Sequence, residues 1–108
     1  MSSAVIRQRP FLEALFEASK APQRRAQLLQ NSNKDQITAV SELALNTLKG
    51  NVPIDPPLMA RLRRYKAPLR TVGSKHLSAK RRREHLLKQR GSGFWKCVKD
   101  VCHCALER

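Results

Sequence analysis

The chain has 108 residues, 41% of them hydrophobic, which allows one modest core and excludes a two-domain enzyme with a cleft between its halves. Lysine and arginine number 22 against 8 aspartates and glutamates, so the chain carries +14 and repels itself until a polyanion supplies counter-charge. That charge is uneven: residues 61–90 hold 12 basic residues and one acid, Glu84, a net +11, whereas residues 1–60 carry +2 and residues 91–108 carry +1.

Residues 1–9 have little periodicity and are expected to form a flexible N-terminus. Pro10 suits the first turn of a helix, where its missing N–H costs nothing, and Phe11, Leu12, Leu15 and Phe16 then share one side of a helix ending near Lys20. Pro22 reopens helical sequence with Ala26, Leu28 and Leu29 as an apolar patch. From Lys34 to Lys49 both ends of a helix are written in the sequence, with Asn33 as N-cap, Gln36 as its capping-box partner and Gly50 just past the stop. Ile37, Val40, Ala44 and Leu48, widened by Leu43 and Leu45, make this the central helix.

Asp55 followed by Pro56 and Pro57 reads as a cap with prolines in the first turn. Leu58, Leu62, Tyr65, Leu69 and Val72 recur at steps of three and four, while Arg61, Arg63, Arg64, Lys66 and Arg70 take the remaining surface. Pro68 lies inside that pattern and predicts a kink or an early end near Lys66. Ser78 caps a further helix from Ala79 to about Arg90, whose thin apolar content predicts ordering on a partner. Gly91, Ser92 and Gly93 then unlink a tail in which Phe94, Trp95, Val98, Val101, Cys102 and Leu106 suit one last amphipathic helix.

The expected architecture is therefore all-α, a small orthogonal bundle of four or five short helices with a basic C-terminal helix and a loosely attached tail. Its divisions are 1–9 (flexible N-terminus), 10–72 (helical core domain), 73–90 (basic helical extension) and 91–108 (Gly-linked, Cys-containing tail), with Leu43, Leu48, Leu58, Leu62, Tyr65 and Leu69 as core. No run approaches the ~18 consecutive apolar residues of a membrane span, and no apolar signal core opens the chain. Cys97, Cys102 and Cys104 are an odd count crowded into one end, no framework for a secreted fold. The expectation is an intracellular, nuclear protein.

Four cations in succession, Lys80, Arg81, Arg82 and Arg83, fit phosphate binding with counterion release, against the plainer readings of a solvated face or an import signal. A helix-turn-helix with Arg63, Lys66 and Arg70 on a recognition helix is the sequence-specific alternative, disfavoured because base readout mixes Arg with Asn or Gln. Stacking on single strands is weaker, because Tyr65 falls in the apolar stripe and Phe94 and Trp95 lie outside the basic segment. Cys97, Cys102, His103 and Cys104 invite a zinc site, but a second ligand pair at a distance is missing, so no metal is expected and buried or tail thiols are the plainer reading. His76 and His85 lack a nucleophile or carboxylate constellation, and Glu84 reads as a counter-ion for Arg81 or Lys88. No catalytic residues and no cofactor are predicted.

The run Ala44-Leu45-Asn46-Thr47-Leu48-Lys49-Gly50-Asn51-Val52-Pro53, then Leu62, Arg63, Lys66, Leu69 and Arg70, then Lys80 to Arg83 with Gln89-Arg90-Gly91, resembles a family of small basic proteins. These belong to virus-like DNA elements of animal genomes, of the adintovirus and Polinton (Maverick) type, and to related DNA viruses. The resemblance spans roughly residues 10–94 and departs at Gly91-Ser92-Gly93-Phe94, where members commonly read Gly-Gly-Phe followed by apolar residues. It implies a DNA-associated core or packaging protein, associated with a virion, and no enzyme.

The sequence thus predicts sequence-tolerant binding of nucleic acid, DNA ahead of RNA, with Arg61, Arg63, Arg64, Lys66, Arg70, Lys80, Arg81, Arg82, Arg83, Lys88 and Arg90 on phosphates. The alternative is a small helical adaptor whose basic face docks an acidic protein surface.

Overall fold

Proline and cap positions divide the chain more finely than four or five helices. The computed structural model describes residues 3–106, and among them the elements are all helical: α1 (Ser3–Arg7), α2 (Arg9–Glu17), α3 (Pro22–Gln30), α4 (Lys34–Leu48), α5 (Pro56–Leu62), a 3₁₀ turn (Arg63–Tyr65), α6 (Lys66–Gly73), α7 (Ala79–Leu87) and α8 (Ser92–Leu106). The all-α bundle expected from the sequence is the fold observed. Pro10, Pro22 and the Pro56-Pro57 pair each sit in a first helical turn. The Asn33 side chain accepts from the Gln36 amide while the Gln36 side chain accepts from the Asn33 amide, both at 2.9 Å, which is the capping box. Asp55 accepts from the Leu58 amide at 2.9 Å and Ser78 from the Arg81 amide at 3.2 Å.

Helix α4 ends in a Schellman motif at Gly50, whose φ of +75° is the left-handed conformation that favours glycine. The Gly50 amide donates to the Thr47 carbonyl and the Asn51 amide to the Asn46 carbonyl, so these two carbonyls of the last turn are satisfied by the chain that leaves it. Pro68 has the effect expected of it, one turn earlier than a simple kink. A continuous helix would set the Pro68 ring against the Arg64 carbonyl. Instead the backbone tightens over Arg63–Tyr65 and restarts at Lys66, which moves Pro68 into the first turn of α6.

The core forms where α6 lies along α4, with α1 and α7 also against α4 and α8 against α2 and α5. Leu43, Leu58, Leu62 and Leu69 are buried as predicted, whereas Leu48 and Tyr65 are only half-buried at its margin. Two expectations are corrected. The start of the chain is no flexible arm over its described part, because Val5 on α1 is fully buried. The tail is not loosely attached: α8 buries Phe94, Trp95, Cys97, Val98, Val101 and Cys102, and Trp95 is 0% exposed. Burying a large aromatic stabilises by roughly 2–3 kcal/mol, so this face cannot be left in water when α2 and α5 offer an apolar surface. Even the glycine linker is used. A Cβ on Gly93 would collide with the Tyr65 hydroxyl, so its hydrogen lets the Tyr65 ring meet Phe94 edge-on at 5.8 Å.

Candidate nucleic-acid interface

The periodicity of α7 sorts its cations into two sets. With Leu86 buried, positions 79, 82 and 83 lie on the same side of a 3.6-residue helix, and 80, 81, 84 and 88 lie opposite. Exposure follows that phase, with Lys80, Arg81, Glu84 and Lys88 exposed and Arg82 and Arg83 half-buried. Arg82 donates from Nη1 to the Ser41 Oγ on α4 at 2.7 Å. Arg83 donates from Nε to the Ser32 Oγ at 3.1 Å and from Nη2 to the Ser32 carbonyl at 3.0 Å. Ser32 Oγ in turn donates to the Leu29 carbonyl at the end of α3, so Arg83 brings positive charge to a helix C-terminus. These two arginines pin α7 to the bundle, so half of the basic run, in a helix expected as a whole to order on a partner, is already engaged.

Arg61 is also spoken for, because its Nη2 donates to Asp100 Oδ2 on α8 at 2.6 Å, and that hydrogen bond raises the guanidinium above its ordinary value. The remaining predicted cations are different. Arg63, Arg64, Lys66, Arg70, Lys80, Arg81, Lys88 and Arg90 are exposed, and their side chains make no hydrogen bond or ion pair among the described residues. Arg63, Lys66 and Arg70, three and four residues apart, follow the outer side of the segment whose inner side is Leu62, Leu69 and Val72. Glu84, read from the sequence as a counter-ion for Arg81 or Lys88, is exposed and bonds to neither. Within water, solvation of each carboxylate and cation outweighs a weak helical pair.

Arg25 is the functional-looking cation that the sequence reading missed. It is 3% exposed, and its guanidinium donates to the carbonyls of Ala18 (3.3 Å) and Ser19 (2.6 Å) beyond α2 and of Gln89 (3.4 Å) and Arg90 (2.9 Å) beyond α7. Its carbon Cζ lies 5.2 Å from the centre of the Trp95 ring, whose Nε1 donates to the same Gln89 carbonyl at 2.6 Å. Two helix C-termini and an aromatic face thus compensate one buried charge, although burial still lowers its pKa. The signal was present: Arg25 stands on the apolar side of α3, four residues before Leu29.

The other candidate groups are dispersed. Cys97 and Cys102 are core side chains, Cys104 is half-buried and His103 is exposed. Burial pushes the Cys97 thiol up, which keeps it protonated and unreactive. The helix-turn-helix reading meets a physical obstacle, because the segment carrying Arg63, Lys66 and Arg70 is broken by the 3₁₀ turn into two short helices. No helix among the described residues is long and apolar enough to cross a membrane. No protein-family model, curated protein or solved structure matches the chain.

Proposed function

We propose that this protein binds nucleic acid through its phosphates, with little regard to sequence, and that DNA is its partner. The observation that carries the reading is the set of eight exposed cations whose side chains have no hydrogen-bond or ion-pair partner among the described residues, on α5–α6 and on the outer face and end of α7. Like charges at helical spacing destabilise one another in the free protein, and a polyanion reverses the sign of that interaction. Asn and Gln are absent from the outer positions 63, 64, 66 and 70, which favours phosphate contacts over base readout. The choice of DNA, and of a core or packaging role in a virus-like element, rests on the family resemblance described above.

The test is binding to a random-sequence duplex at ~50 and ~200 mM salt. Contact with six or more phosphates predicts a loss of ~10³-fold or more over that range. A variant with Arg63, Lys66 and Arg70 changed to Gln should bind with a slope shallower by about 3. Weak, salt-independent binding would sink the proposal, and saturation at a fixed ratio on an acidic protein would replace it with the adaptor reading.

A further inference from the structure

A second cationic feature joins Arg70 to Lys49 and Lys75, which the sequence did not single out, and to His76. Gly73 brings α6 so close to α4 that a Cβ there would stand 3.4 Å from the Leu45 backbone nitrogen. That close approach sets the end of α4 beside the end of α6 and the turn that follows it. Between them is an open groove of about 460 Å³, floored by Leu45 and Leu48 and walled by Lys49, Arg70, Lys75 and His76. Every ionisable side chain in its wall is basic, and they come from three separate parts of the chain.

Helix ends of this polarity present carbonyl oxygens, which would oppose an anion. Here several of those oxygens are already engaged by backbone amides. The Leu45, Asn46 and Thr47 carbonyls accept from the amides of Lys49, Asn51 and Gly50, and the Thr71 and Ser74 carbonyls accept from Ser74 and Leu77. The ionisable side chains that line the groove are all nitrogen-bearing. None of Lys49, Arg70, Lys75 or His76 bonds to another side chain among the described residues, so their donors are available.

We propose that this groove is a seat for one phosphate group, held by Lys49, Arg70 and Lys75 with the His76 imidazole as a further donor. Arg70 belongs both to the groove and to the outer stripe of α5–α6, and the 74–78 turn leads directly into α7. A phosphate seated here would lie against Arg70 of the outer stripe and beside the turn that leads into α7. As a seat for a backbone phosphodiester the groove rests on the nucleic-acid reading; as a site for a free phosphate compound it does not.

The experiment titrates the full chain with inorganic pyrophosphate and follows backbone amides by NMR, for wild type, for Lys49→Gln with Lys75→Gln, and for the charge-conserving Lys49→Arg with Lys75→Arg. Saturable shifts confined to residues 45–49 and 70–76 are expected, weakened about tenfold or more in the glutamine pair and retained in the arginine pair. Shifts spread over every exposed lysine and arginine, or unchanged in the glutamine pair, overturn the seat. Circular dichroism of each variant confirms that the fold is kept, which exposed positions 49 and 75 allow. A duplex titration then identifies the source of the phosphate. A shallower salt slope in the glutamine pair assigns the seat to the nucleic-acid backbone, and an unchanged slope assigns it to a free phosphate compound. Absence of any duplex binding defeats the nucleic-acid reading alone, because the pyrophosphate result decides the groove independently.

Discussion

Helices α7 and α8 are separated by four residues and are nearly opposite in composition, yet each joins the bundle through one face. α8 does so by burying six side chains, three of them Trp95, Phe94 and Val101. α7 has one buried apolar side chain, Leu86, and supplements it with hydrogen bonds from Arg82 and Arg83 to Ser41 and Ser32. The two helices also meet in Arg25, which holds the carbonyls beyond α7 and faces the ring of Trp95. Charge is therefore a poor guide to what is surface in this chain. The helix that looked like a free basic arm is half structural, and the one that looked detachable is core.

The largest test of that comparison is Trp95→Ala. The change removes a fully buried ring, the Nε1 bond to Gln89 and the face against which Arg25 is held. It should cost ~3–5 kcal/mol in urea unfolding, a large part of the ~5–15 kcal/mol that holds a domain folded. A cost under ~0.5 kcal/mol would return α8 to the status of a loose tail.

A smaller effect separates the two faces of α7. Arg82→Ala with Arg83→Ala should lower stability by about 1–3 kcal/mol, since each change leaves the oxygen of a buried serine without its donor. Lys80→Ala with Arg81→Ala should stay within ~0.5 kcal/mol of wild type, yet reduce the salt slope of duplex binding by about 2. Equal effects of both pairs on binding, at equal stability, would show that all four cations face solvent alike. Replacing the whole run at once would confuse loss of fold with loss of binding.

These faces show what local sequence can disclose. The caps at Asn33, Asp55 and Ser78, the stop at Gly50 and the stripe on α4 were legible because each depends on neighbours within four residues. The inward turn of Arg82 and Arg83 was half legible, since Leu86 fixes the phase of α7, but their acceptors are 41 and 51 residues away. Arg25 is further from view: its partners span positions 18 to 95, and no local pattern reports that two helix ends converge on one guanidinium. The docking of α8 was misread for the same reason. Its apolar face was visible, but the surfaces on α2 and α5 that receive it exist only once the chain is folded.

The smallest effect sharpens the comparison along the edge of α7. His85 lies on its inner flank beside Leu86, and burial, helped by the Lys88 charge, lowers its pKa from the ordinary 6.5. A histidine with a depressed pKa in the folded state favours folding above the unfolded value, and that contribution is lost as pH falls through the folded value. Stability should therefore decline from about pH 6.5 downward. His85→Gln removes the titrating group while keeping a polar side chain, and its melting temperature should fall less than that of wild type between pH 7.5 and 5.5. Bound duplex should reduce the difference, because a polyanion along the outer face of α7 favours the protonated imidazole. Coincident profiles without duplex would mean that the ring at position 85 is as well solvated folded as unfolded, and that the boundary between the structural and the exposed side of α7 falls nearer to Leu86.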